Sequence, residues 1–198
     1  MGNIGIIGRA RVGKDTAGQW LVSNRGYRRI GFADPLKEAA LKLDPIVYHR
    51  WEGDQHVAMR LARVVRNCGW EMAKEIGDTR RILQELGAAV RAIDEDFWLR
   101  AAMRRVQEAN EAGVPAVITD VRYPNEAASL KRAGFHLVYI ERPDVEQLVH
   151  ESEGALGFDE ADYYIHNGGS ISGLLHQMET TMAAIYTRES RRHYARSH

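Results

Sequence analysis

An α/β fold, with a parallel sheet of about five strands flanked by helices, is what this 198-residue sequence predicts. Three observations predict it. Short runs of continuous apolar residues, several of them β-branched, recur along the chain, the pattern of strands buried on both faces. Segments with apolar residues at helical spacing separate them, and strand–helix alternation is the mark of parallel crossovers. A glycine-rich turn ending in lysine joins the first strand to the first helix.

Taken in order, Ile4, Ile6 and Ile7 make the first strand. Ala17, Trp20 and Leu21 follow at helical spacing, and Gly26 stops that helix. Tyr27 to Phe32 reads as a second strand, and Leu36, Ala39, Ala40 and Leu43 as a second helix. From about Pro45 to Gly113 the reading is helical throughout. Val57, Leu61, Val64 and Val65 share one face there; Ile82, Leu83, Leu86, Ala89, Val90 and Ile93 form an apolar stripe; Trp98, Leu99, Ala102, Met103 and Val106 form another. Gly113 and Pro115 end the block. Strands resume at Ala116–Ile118, Leu137–Ile140 and, more weakly, Tyr163–Ile165, with helices expected at about 124–133 and 144–150. A last helix carries Leu174, Leu175, Met178, Met182 and Ile185. The basic, polar stretch from Arg188 to His198 reads as a frayed end.

Composition narrows the function classes. Lysine plus arginine equals aspartate plus glutamate, 27 each, so no global charge draws the chain to nucleic acid or a membrane, and any anion site must be local. Cys68 is the one cysteine, which excludes an intramolecular disulfide and a cysteine-rich zinc site. No apolar run is long enough to span a bilayer, and Met1-Gly2-Asn3-Ile4 enters a strand without the charged start of a signal peptide, so a cytoplasmic chain is expected.

The sharpest motif is Gly8-Arg9-Ala10-Arg11-Val12-Gly13-Lys14-Asp15-Thr16. It fits the phosphate-loop spacing of two glycines five apart with a lysine next. Glycine freedom lets backbone N–H groups turn inward around a polyphosphate, the helix start adds its positive end, and lysine reaches the β- and γ-phosphates. The hydroxyl residue usual after the lysine is replaced by Asp15, with Thr16 following; either could supply a hard oxygen to Mg²⁺. After the strand at 116–118 come Thr119, Asp120, Val121 and Arg122. An acid at the carboxyl end of a strand beside the loop strand suits a Mg²⁺ carboxylate, and an arginine there suits charge on a transferring phosphoryl group. A helix cap for Asp120 and a surface ion pair for Arg122 are the plainer readings of the same residues.

Four segments in order, GRARVGKDT, FADPLK at 32–37, RRILQELGAAVRAIDEDFW at 80–98 and TDVRYPNE at 119–126, resemble the deoxynucleoside monophosphate kinases best known from bacteriophages. The resemblance runs from about residue 3 to 183 and implies a P-loop NTPase fold in one domain. Its core would take about 1–44 and 114–188, a helical monophosphate-binding insertion about 45–113, and a short lid about 142–160. It implies transfer from ATP, with Mg²⁺, to a deoxynucleoside monophosphate. Lys14, Arg122 and Asp120 would be catalytic. Gly8, Arg9, Arg11, Val12, Gly13, Lys14, Asp15, Thr16 and Arg142 would bind ATP, and Asp15, Thr16 and Asp120 the metal. Asp34, Lys37, Arg80, Gln84, Gly87, Arg91 and Trp98 would bind the acceptor.

The residues support parts of this separately. Asp34 can cap a helix with Pro35 at its first position, and Lys37 in the first turn opposes the helix dipole, as suits a phosphate. Arg80, Gln84, Gly87 and Arg91 recur at four, three and four, on one side roughly opposite the Leu83–Leu86–Val90 stripe. Gln84 offers a donor and an acceptor to a base edge, and Gly87 a close approach. Trp98 can stack on a base or fill the core. Arg142 can stack on adenine or join a lid, while His150, Glu151, Ser152 and Glu153 make that lid acidic where arginines are usual. No nucleic-acid or membrane partner is expected, and the family makes a homodimer plausible. The rivals are a P-loop kinase of another small acceptor, of the phosphomevalonate or dephospho-coenzyme A type, and a nucleic-acid-linked NTPase.

Overall fold

Ile4–Ile7 (β1), four buried residues, forms the middle of a five-stranded sheet. The computed structural model describes residues 2–143, 145 and 156–197. It divides into two compact units, one from the chain up to Gly31 and from Met103 onward, the other Phe32–Ala102.

The first unit opens with β1, α1 (Lys14–Arg25) and β2 (Arg28–Arg29). The second contains α2 (Asp34–Leu43), β3 (Ile46–Glu52), β4 (Gln55–Arg60), α3 (Leu61–Ala73) and α4 (Thr79–Ile93), and the boundary falls within α5 (Phe97–Glu111). The first unit then resumes with β5 (Ala116–Val121), α6 (Pro124–Arg132), β6 (His136–Glu141), a 3₁₀ turn at Phe158–Glu160, β7 (Tyr163–His166) and α7 (Ile171–Ser197).

The sheet order is β2-β5-β1-β6-β7, and every pair is parallel. Parallel neighbours need crossovers, and the chain supplies helices for them. β1 and β5 are apolar and enclosed nearly throughout because both faces are covered. On one face Ile4, Ile6, Val117, Val138, Ile140 and Ile165 pack with Ala17 and Leu21 of α1 and with Leu174, Met178, Met182 and Ile185 of α7. On the other, Ala127 and Leu130 of α6 are buried, and a Cβ on Gly5 would lie 3.0 Å from Leu130 Cδ1. Gly26 ends α1 in the left-handed conformation at φ 69°.

Some expectations need correction. The second strand spans Arg28–Arg29 only, because it pairs on one side, with β5, although Ile30 still donates to Val117 O at 2.9 Å. The stretch from Arg188 is not frayed: α7 runs 27 residues to Ser197, since no glycine or proline after Gly173 interrupts its good helix formers. The helix expected at 144–150 lies outside the described residues.

The larger correction is in the second unit. Residues 46–60 are not helical but form an antiparallel hairpin, Glu52 facing Gln55 across a Gly53-Asp54 turn with Gly53 at φ 62°. A two-residue glycine-containing turn between β-branched and aromatic residues favours this form. Val57 therefore sits on β4, while Leu61 and Val64 begin α3. Non-helical Gly69 (φ 73°, ψ 170°) interrupts α3. The core of this unit joins Ala40, Val47, Met59, Leu61, Val64, Ala73 and Leu83. The α4 stripe is narrower than its sequence suggests, with Ile93 89% exposed. No described helix is long and apolar enough to cross a membrane.

Candidate active site

Immediately after β1 the chain turns through two glycines that no other residue could replace without strain. Gly8 has φ 146°, and a Cβ there would lie 2.3 Å from the Ile140 carbonyl oxygen. Gly13 has φ 103°, and its Cβ would meet Leu174 Cδ2 at 2.8 Å and Asn167 Nδ2 at 3.1 Å. Between them Arg11 holds a left-handed φ of 64°, a conformation costly for a residue with a Cβ. Arg9 and Arg11 are exposed and Val12 is buried, so the loop is anchored by its apolar residue and presents its arginines.

No side chain caps the start of α1. The start of α1 carries the positive end of the helix, which favours an anion there. Lys14 Nζ donates to Gly8 O at 2.7 Å and to Arg9 O, folding the ammonium against the loop.

Thr119 carries the loop region onto β5. Its hydroxyl, 2% exposed, donates to Asp15 Oδ1 at 3.0 Å. Gly18 makes this contact possible, because a Cβ there would come within 2.4 Å of Thr119 Cγ2. Asp120 follows Thr119 at the carboxyl end of β5, so Asp15 and Asp120 come to the same end of adjoining elements. Thr16 is exposed in the first turn of α1.

Ile7 and Val121 are partners in the parallel ladder, so Gly8 and Arg122 leave the sheet from neighbouring positions. Arg122 is exposed, and its amide donates to Glu126 Oε2 at 2.8 Å, as does that of Tyr123 at 3.1 Å. Burial pushes the Glu126 carboxyl up to about 7, against the opposing effect of these two amides. Arg142 follows β6, and its Nε is enclosed with no hydrogen-bond partner among the described residues. The acidic segment at 150–153 and most of the expected lid lie outside the described residues.

The proposed acceptor residues all belong to the second unit. Asp34 is not the cap residue of α2: Ala33 occupies that position and Asp34 is the first helical residue. Lys37 Nζ lies over the Trp70 ring, 5.7 Å from its centroid. Arg80 pairs with Glu75, and Gln84 and Arg91 are exposed on α4. Gly87 does not share their exposure. It faces Leu36, whose Cδ2 would lie 3.2 Å from an added Cβ, so its small size lets α2 and α4 approach closely. Trp98 is 7% exposed and donates from Nε1 to Gly87 O at 3.3 Å.

Sequence reasoning placed Thr119 and Glu126 in the TDVRYPNE segment and Asn167 at the end of a stretch, Asp162 to Asn167, that resembles the family's closing segment, but gave none of them a role, and it passed over Trp70. Asn167, 4% exposed, donates from Nδ2 to Val12 O at 2.9 Å. Its signal was an asparagine before two glycines at the end of a strand, which reads first as a turn.

A family model described as deoxynucleotide monophosphate kinase matches residues 47–178, a span that begins after the phosphate loop. The chain is 28% identical over 151 residues to a protein of Acanthamoeba polyphaga mimivirus named putative deoxynucleotide monophosphate kinase, covering 72% of this chain and 75% of that one. It is 35% identical over 82 residues to the uncharacterized protein ORF77 of Ictalurid herpesvirus 1, covering 39% of this chain and 36% of that one. Among solved structures, dephospho-CoA kinase from Campylobacter jejuni aligns with 96% of this chain and 100% of its own at 14% identity and a TM-score of 0.48. A gluconokinase from Sinorhizobium meliloti aligns with 100% and 98% at 14% identity and 0.47.

Proposed function

The chain belongs to the deoxynucleotide monophosphate kinase family, and from that premise we propose that it moves the γ-phosphoryl group of ATP to a deoxynucleoside monophosphate, giving ADP and the deoxynucleoside diphosphate. The observation that carries the reading is the loop Gly8–Lys14. Its glycines are conformationally required, its helix start is uncapped and its lysine is held ready at the loop carbonyls.

An oxygen of the acceptor phosphate attacks the γ-phosphorus as the bond to the β–γ bridging oxygen breaks, with no covalent enzyme intermediate. The α1 amides and Lys14 hold the donor phosphates, and the ammonium exchanges the Gly8 and Arg9 carbonyls for phosphate oxygens. Arg122 supplies positive charge where charge builds on the transferring group. Arg9, Arg11 and Arg142 contribute to binding ATP. In the second unit Lys37, Arg80 and Arg91 take the acceptor phosphate and sugar region, and Gln84 reads the base edge.

Among the described residues no group of three or more His, Cys, Asp or Glu could cage a metal. Mg²⁺ that arrives on ATP needs only one or two carboxylates, with phosphates and waters filling its octahedron. Asp15 and Asp120, with Thr16, would hold it, and the ion would neutralise charge on the β- and γ-phosphates.

The test is phosphoryl transfer from MgATP to a panel of the four common deoxynucleoside monophosphates, dUMP, the matching ribonucleotides, phosphomevalonate and dephospho-coenzyme A. Diphosphate formed from one or more deoxynucleotides is the expected result. Transfer to a non-nucleotide acceptor alone, or ATP hydrolysis stimulated by DNA and not by monophosphates, would move the chain to another class.

A further inference from the structure

We infer that Asn167, at the end of β7, is the positioning residue that fixes the phosphate loop in its binding shape. The inference rests on the reading of Gly8–Lys14 as an ATP cradle. A loop whose N–H groups converge on phosphates turns its carbonyl groups outward, and a carbonyl turned into the protein needs a donor. Val12 is 2% exposed, and its carbonyl receives the Asn167 Nδ2 hydrogen bond at 2.9 Å, in buried surroundings.

Asn167 is itself held on three sides. Its own amide donates to Glu141 O at 2.7 Å, tying it to the end of β6. Its Oδ1 accepts from the Gly169 amide at 3.1 Å. That bond leaves Nδ2, the donor, for Val12. Asn167 Nδ2 and Leu174 Cδ2 also close off the space beside Gly13, where an added Cβ would lie 3.1 and 2.8 Å from them.

This anchor differs in kind from the lysine. Lys14 satisfies Gly8 O and Arg9 O only until it turns to phosphate. The Asn167 bond to Val12 involves no group that the nucleotide claims, so it persists through binding and transfer. A side chain for this place needs a donor and an acceptor on one planar group, and among residues of this size asparagine provides both. Aspartate keeps the size and the acceptor for Gly169 but turns an oxygen toward the Val12 carbonyl. Alanine leaves that carbonyl buried without a donor.

The experiment measures dissociation constants for a non-hydrolysable ATP analogue with magnesium, together with melting temperatures and steady-state constants. The variants are Asn167→Ala, Asn167→Asp and, as a control, Ile185→Ala, a fully buried residue of α7 about three helical turns beyond Leu174. Both Asn167 variants should bind the analogue about tenfold or more weakly, the worth of one buried hydrogen bond whose loss strands its acceptor. KM for ATP should rise in parallel while KM for the acceptor holds. Ile185→Ala should lower the melting temperature and leave nucleotide affinity unchanged. If Asn167→Ala does not fold, Asn167→Asp, which keeps the volume, decides. Folded Asn167 variants that bind the analogue as tightly as the parent chain overturn the inference and leave the kinase reading standing. A parent chain that binds no nucleotide overturns both.

Discussion

Lys14 and Glu126 are the residues whose chemistry is most directly testable. The Lys14 ammonium rests on the carbonyls of Gly8 and Arg9, at the partly exposed loop surface. Lys14→Ala should therefore keep its circular dichroism spectrum and melting temperature while turnover falls by about 10²-fold or more, the cost of removing one group that meets developing charge. Glu126 tests electrostatics instead. Its carboxyl is raised by burial from 4.5 to about 7. The folded chain therefore keeps a proton that the unfolded chain releases, and the associated stability is complete below about pH 4.5 and is lost as pH rises through about 7. Urea unfolding on either side of that window should show wild type losing up to about 3 kcal/mol relative to Glu126→Gln, which retains an acceptor oxygen for the two amides. The loop was legible from spacing alone because its glycines and lysine are needed by one local chemistry. Thr119 and Asn167 were not, since each is significant only through a partner 104 or 155 positions away. A threonine in a strand and an asparagine before glycines both have sufficient local explanations.

At the level of elements, α1 is set against β5 by an absent side chain. Gly18→Ala would force a Cβ to within 2.4 Å of Thr119 Cγ2. It should cost about 1–3 kcal/mol of stability, as overpacking does. Because Asp15 and Lys14 ride on the same helix, KM for ATP should rise as well; thermal melts and kinetics on one preparation check both. Helices α1, α4 and the body of α7 were readable from apolar spacing, with Gly26 ending the first, and α6 from the gap between two strands. The hairpin of β3 and β4 was not. Val57, Leu61, Val64 and Val65 mimic helical spacing across a real strand-to-helix junction, and the informative Gly53-Asp54 turn is only two residues long. The inward position of Gly87 was not legible for a related reason: the four-three-four interval locates a helix side, but only packing against Leu36 reveals that this position is buried.

For the molecule as a whole, nucleotide binding should register as stability. A non-hydrolysable ATP analogue at a hundredfold excess over its dissociation constant should add about 2.7 kcal/mol to unfolding, read as a raised melting temperature, and EDTA should remove most of the shift. The α/β class was visible in the alternation of segments, but the order of strands was not. Nothing local to Ile4–Ile7 says that it lies between β5 and β6, paired as Ile4 with Val117 and Ile4 with His136. That placement has a consequence for how the protein is made. The strand that leads into the phosphate loop is synthesised before both of its neighbours, and ribosomes add about 5–20 residues per second. For about several seconds or longer it must wait, apolar and unpaired, until β5 and β6 have been made. The glycine loop therefore exists as sequence well before it exists as a shape, and a stalled or truncated translation product that ends short of β6 would be an aggregation risk with no compensating activity.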